Sequence, residues 1–167
     1  MEITITKGRL LDQITIARAD GSSAVTTFPK KGPVPHDAVH WFVERELGFC
    51  HAFWGMVAGG LQPEAIAELA KAAGHASASR ACVPEAEIVE LLQAERLVEC
   101  FEADLWGRGG GSAEDLITVA AKACEYSHVP LPALDAAAVE RIRAGLGQFA
   151  RNWTAAPQGC VAVLKWE

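Results

Sequence analysis

Residues 2–28 read EITITKGRLLDQITIARADGSSAVTTF, and the fold turns on this stretch. Ile3 and Ile5 alternate with Glu2, Thr4 and Thr6, the period-two pattern of a strand with one buried face. Lys7-Gly8-Arg9 supplies a turn, and residues 12–18 repeat the alternation with Ile14 and Ile16 inward. Asp20-Gly21-Ser22 is a hairpin signal. Val25 to Phe28 reads as a third strand that stops at Pro29. Residues 1–29 therefore predict an antiparallel meander, too small to be stable alone and in need of helices on its apolar face.

The far end of the chain answers that need for pairing. Cys160 to Trp166 is rich in β-branched residues and reads as a fourth strand, with the meander as its natural partner. Between them, residues 33–152 read as five to six helices. The first runs from Pro35 to Leu47, with Val39, Phe42, Val43 and Leu47 on its core face. Phe49 to Ala58 is apolar all round and reads as a buried helix. Pro63 to Ala73 follows, and then the longest helix, Pro84 to Trp106, with Leu91, Ala94, Val98, Phe101 and Leu105 at helical spacing. A helix over 113–126 buries Leu116, Val119, Ala120 and Ala123. Asp135 caps the last, which runs to about residue 150. The expected fold class is α+β: a small, mainly antiparallel sheet with a helical bundle inserted between its third and fourth strands, in one domain.

Composition narrows the function. The chain has 167 residues, of which 50% are apolar and 22% charged, so disorder of the whole is excluded. Its net charge of −6 gives no broad basic field, which argues against nucleic acid as a partner. Cys50, Cys82, Cys100, Cys124 and Cys160 form no CxxC pair, which fits a reducing compartment. The N-terminus lacks the pattern of a signal peptide, and the longest apolar stretch, Leu47 to Leu61, is shorter than a bilayer span. A cytoplasmic location without membrane partners is expected.

One stretch carries ligand-like spacing: Pro33-Val-Pro-His-Asp-Ala-Val-His-Trp-Phe-Val-Glu44. His36, His40 and Glu44 are four residues apart, and each such step drifts only about 40° around a helix. The three side chains share one face and suit a divalent metal, zinc above all. His36-Asp37-Ala38-Val39-His40 also parallels the HExxH pattern, with Asp37 in the place of the general base and one methylene shorter in reach. His51, expected on the next helix, is a further candidate ligand. The alternative needs no chemistry. Pro35 opens a helix, Asp37 meets the helix dipole, and His36 and His40 cap or border it. Glu95, Glu99 and Glu102 could feed a metal centre, but a solvated acidic face is much the stronger reading. His75 and Arg80 lie in a small-residue connector. Gly107 to Ser112 lacks the ending of a phosphate loop and leads into a helix capped by Ser112.

The run PHDAVHWFVE (35–44) with FWGMVA (53–58) resembles a segment of uncharacterised bacterial proteins in which PHDxxHxxVE precedes FWGxVA. The resemblance implies that this stretch is the centre of the molecule; it carries over no activity, cofactor or catalytic residue.

Two functional classes follow. The favoured one is a non-catalytic binding or interaction module, taking an apolar small molecule between Phe53 and Trp54 or a second copy of the chain over Trp41 or Trp166. The alternative is a divalent-metal-dependent hydrolase. In it, His36 and His40 with Glu44 or His51 bind the ion, and Asp37 activates water.

Overall fold

The computed structural model describes residues 1–30, 32–73, 83–107 and 110–167. Its sheet contains β1 (Glu2–Thr6), β2 (Leu11–Ala17), β3 (Ser23–Pro29) and β4 (Val161–Lys165), in the order β3-β2-β1-β4 with every pairing antiparallel. The α+β expectation holds, and the last strand joins the meander as expected, pairing with β1.

The register explains why one face is apolar. Ile3 sits across from Ile16 on one side and Leu164 on the other, and Ile5 sits across from Ile14 and Ala162. All four isoleucines are almost fully buried. Asp12 has the same parity as Ile14 and Ile16, so a carboxylate also lies on the core face, opposite Phe28. The β2–β3 turn is built by Asp20, whose Oδ1 accepts from Ser22 N, and by Gly21 at φ 85°, a left-handed conformation suited to glycine. The N-terminal amine donates to Trp166 O at 2.7 Å, tying the two ends of the chain together.

Among the described residues the helices are α1 (His36–Leu47), α2 (Phe53–Ala58), α3 (Pro63–Ala72), α4 (Val89–Trp106), α5 (Ala113–Tyr126) and α6 (Ala136–Ala155). None is long and apolar enough to cross a membrane. Helix α1 lies against α4 and α6, and α5 packs on α4 and α6. Val39, Val43, Trp54, Phe101 and Val139 join the sheet's isoleucines in one apolar cluster. Ser112 and Asp115 form a reciprocal capping box at the start of α5, as the sequence predicts.

Several boundaries differ from expectation for identifiable reasons. The expected helix over Phe49–Ala58 begins only at Phe53. Gly48 ends α1 in the left-handed region, and the carboxylate of Glu90 on α4 accepts from both Cys50 N and His51 N, which holds a turn there. A 3₁₀ turn, Ala86–Ile88, precedes α4, so the long helix starts at Val89 rather than Pro84. Helix α6 continues past residue 150 to Ala155. The carbonyls of Trp153 in its last turn and of Ala156 just beyond it accept from Lys7 Nζ at 2.7 Å. Val119 is 60% exposed because the buried stripe of α5 is Ala113, Leu116, Ala120 and Cys124, and Val119 falls beside it. Trp41 is buried within the chain and Trp166 is half-buried, so neither is surplus exposed surface. His75, Arg80, Cys82 and part of the Gly107–Ser112 segment lie outside the described residues.

Candidate metal centre

Helix α1 starts directly after Pro35, so His36 occupies its first turn and His40 the second. Ala38, Val39 and Val43 face the core and fix the roll of the helix. That roll turns His36 and His40 toward α4, where Glu95 and Glu102 stand seven residues apart. Seven residues are nearly two full turns, so these two carboxylates share a face. The two imidazole centroids are 4.8 Å apart and meet edge to face.

Each histidine is held through Nδ1 by its own glutamate. His36 Nδ1 lies 3.0 Å from Glu102 Oε1, and His40 Nδ1 lies 2.8 Å from Glu44 Oε1. A carboxylate at Nδ1 favours the proton on that nitrogen and leaves the lone pair of a neutral ring on Nε2. Both Nε2 atoms approach one oxygen, Glu95 Oε2, at 3.9 Å from His36 and 3.6 Å from His40. One ligand atom from each of His36, His40 and Glu95 can be chosen so that all lie within 4.8 Å of one another. Donors around a tetrahedral zinc, at bond lengths near 2.0–2.2 Å, stand roughly 3.3–3.5 Å apart. The two Nε2–Oε2 separations exceed that value by a few tenths of an ångström, and the 4.8 Å span of the whole group exceeds it by more than about 1 Å, so an ion would draw the three side chains together.

The structure brings His36 and His40 together, with Glu95 rather than Glu44 or His51 as the third member of the group. Glu44 is fully buried, with Oε1 on His40 and Oε2 accepting from Trp54 N at 2.8 Å. It orients His40 rather than facing the point where the imidazoles converge. His51 is also apart from the group. Its side chain is 73% exposed, on the turn before α2, 3.7 Å from Glu90. Asp37 is buried and lines the same cavity as His36, His40 and Glu95, while its backbone carbonyl accepts from Trp54 Nε1 at 2.9 Å. Glu95 and Glu102, which stand out in the sequence only as part of an acidic face, are the carboxylates of α4 that meet the two imidazoles. Their signal is the i, i+7 spacing beside an apolar stripe, which a solvated face explains better until α1 is seen to pack there.

The electrostatics are dense. Burial alone would lower the pKa of His40, but the charge of Glu95 and the hydrogen bond to Glu44 outweigh it and push the value up to about 10. His36 follows the same pattern: burial lowers it, and the hydrogen bonds to Glu102 and Glu95 raise it further. Burial pushes the Glu44 carboxyl up from the ordinary range, partly opposed by its hydrogen bond to His40. Three carboxylates around two imidazoles thus demand positive charge, supplied either by protons on the rings or by a cation between them.

The cluster opens on a cavity of about 160 Å³. It lies between the inner face of β2–β3 and helices α1–α4. Ile14, Phe28, Phe53, Ile66 and Ala70 provide apolar wall. Asp12 and Lys30 line it too; they pair at 3.2 Å, and Lys30 Nζ also donates to Gly8 O. Asp12 escaped the sequence reading, although its parity with Ile14 was a usable signal. Compared with family models, curated proteins and solved structures, the chain matches none of them.

Proposed function

We propose that the chain is a metal-dependent enzyme of hydrolytic type. It holds one divalent transition-metal ion of the zinc class on Nε2 of His36, Nε2 of His40 and the carboxylate of Glu95. One observation carries the reading: two imidazoles, each held through Nδ1 by a separate glutamate, present their remaining nitrogens to a single carboxylate oxygen. A set of two histidines and one glutamate leaves a coordination position for water or substrate, the mark of a catalytic rather than a structural zinc site. Glu44 and Glu102 are then the outer partners that fix ring orientation and raise ligand basicity. The ion would supply Lewis acidity and lower the pKa of a bound water. Asp37, in the same cavity, would take a proton from the attacking water and return it to the leaving group, so that an ester or amide plus water would give an acid and an alcohol or amine.

The test is competition for zinc against a chromogenic chelator at neutral pH. The native chain takes up one equivalent. Glu95→Gln weakens uptake by more than about 100-fold, a larger loss than removal of an outer partner gives, and His51→Ala leaves it unchanged. Asp37→Asn keeps the metal and loses about 10²–10⁴-fold in turnover of an ester substrate. Equal uptake by the native chain and Glu95→Gln would refute the assignment.

A second reading, a non-catalytic module that takes a small apolar molecule, is supported by the raised pKa values of both histidines. With the rings protonated, the cluster neutralises itself and the cavity needs no ion. In that case the native chain takes up no zinc.

A further inference from the structure

We infer that the cavity beside the cluster selects a compact substrate: an apolar body the size of one aromatic ring, bearing a single oxygen-donor head group that reaches the metal. This rests on the metal reading above and concerns what the rest of the cavity recognises.

Size is the first argument. About 160 Å³ is close to the roughly 150 Å³ of an engineered apolar cavity that stays dry and binds benzene. A fused two-ring body exceeds it, and a methyl group leaves most of it unfilled. The walls are the second argument. Ile14, Phe53, Ile66 and Ala70 are buried and Phe28 is partly buried, so the surface offered to the body of a ligand is hydrocarbon.

Charge is the third. The cation lining the cavity, Lys30, is engaged by Asp12 Oδ1 at 3.2 Å and by Gly8 O at 2.8 Å. Asp12 Oδ1 in turn accepts from Gly8 N at 2.9 Å. That corner closes on itself and offers little attraction to an anionic tail. Asp37 and Glu95 disfavour one from the other side. The donor head group of a ligand therefore belongs at His36, His40 and Glu95, and the remainder is uncharged.

Ala70 sets the size limit. It is 3% exposed and lines the cavity from α3, one turn beyond the fully buried Ile66. A leucine at this position would occupy the space a ring needs, and residue 70 is not itself a proposed ligand of the ion.

The experiment uses the whole chain loaded with cobalt(II), whose visible spectrum reports ligands entering the coordination sphere. The probes are acetohydroxamate, benzohydroxamate and 2-naphthohydroxamate, which share a head group and differ in body. Benzohydroxamate binds at least about 10-fold more tightly than either of the others, the scale expected for burying one ring. Ala70→Leu, with circular dichroism like that of the native chain, keeps its cobalt and its acetohydroxamate affinity and loses the preference for benzohydroxamate. Cobalt uptake with equal affinity for all three probes, or with the naphthyl probe tightest, would overturn this inference and leave the metal site standing. Failure to take up cobalt would overturn the metal reading and the head-group assignment with it.

Discussion

Helix α4 contributes to two charged clusters, and they are built differently. On one side Asp104 receives Arg143 from α6 in a two-pronged pair, with Nε–Oδ2 at 2.9 Å and the terminal nitrogen to Oδ1 at 2.8 Å, while Arg143 also meets Glu140 at 2.9 Å. Donors meet acceptors directly and the group is closed, an arrangement that ties two helices together. On the other side Glu95 and Glu102 meet His36 and His40. Here the hydrogen bonds at Nδ1 are short, and the remaining nitrogens converge on one oxygen from 3.6 and 3.9 Å. The Arg143–Asp104 pair is about as shielded as the His36–Glu102 pair, so burial alone does not separate the two clusters. The direction of the remaining donor atoms does: they are spent on one another in the first cluster and aimed at a common point in the second.

The largest expected effect that would sharpen this contrast is at His40. His40→Ala abolishes metal uptake and also leaves the carboxylate of Glu44 buried with one partner fewer, a loss on the order of 3–5 kcal/mol in chemical denaturation. A loss below about 1 kcal/mol would mean that the buried pair is not the anchor described. Next comes Glu102→Gln, which keeps the fold and weakens zinc affinity by about 10–100-fold in the chelator assay, as expected for an outer partner. Arg143→Ala does the reverse. It lowers stability by about 1–3 kcal/mol through lost charge-assisted hydrogen bonds and leaves metal affinity within about two-fold of native. If Arg143→Ala weakened metal binding as much as Glu102→Gln, the division into a closed and an open cluster would fail.

The pH dependence is smaller but has a definite sign. His40 binds its proton more tightly in the folded chain, with its pKa raised from 6.5 to about 10. Its contribution is therefore fully present below about pH 6.5 and is lost progressively as pH rises toward 10. His36 shifts in the same direction. The urea midpoint of metal-free protein should fall over that interval. Zinc affinity should rise over the same interval, because protons leave the nitrogens that bind the ion. A midpoint that does not change between pH 6 and pH 9.5 in chelator would contradict the ion-paired state of the metal-free cluster.

The sheet was legible because alternation has one physical meaning when a face is buried: Ile3, Ile5, Ile14 and Ile16 could face only inward. Half of the site was legible for the same local reason, since His36 and His40 share a helix face whatever lies opposite. Glu95 stood out only as one of three carboxylates on an acidic face, because its meeting with the imidazoles comes from the packing of α1 on α4, and nothing near residue 95 encodes which helix will face it. Glu44 was placed correctly beside His40, without its second partner. Spacing puts it under His40, but only the start of α2 shows that Trp54 N takes its second oxygen. His51 was misplaced because an apolar run suggested a helix, whereas Glu90 holds a turn there.

The most direct measurement is the elemental composition of tag-free protein by mass spectrometry, beside the folded His36→Ala/His40→Ala double variant. The account predicts one zinc, manganese or iron per native chain and none in the variant. A native chain that carries no metal, and binds none when zinc is added, would contradict it.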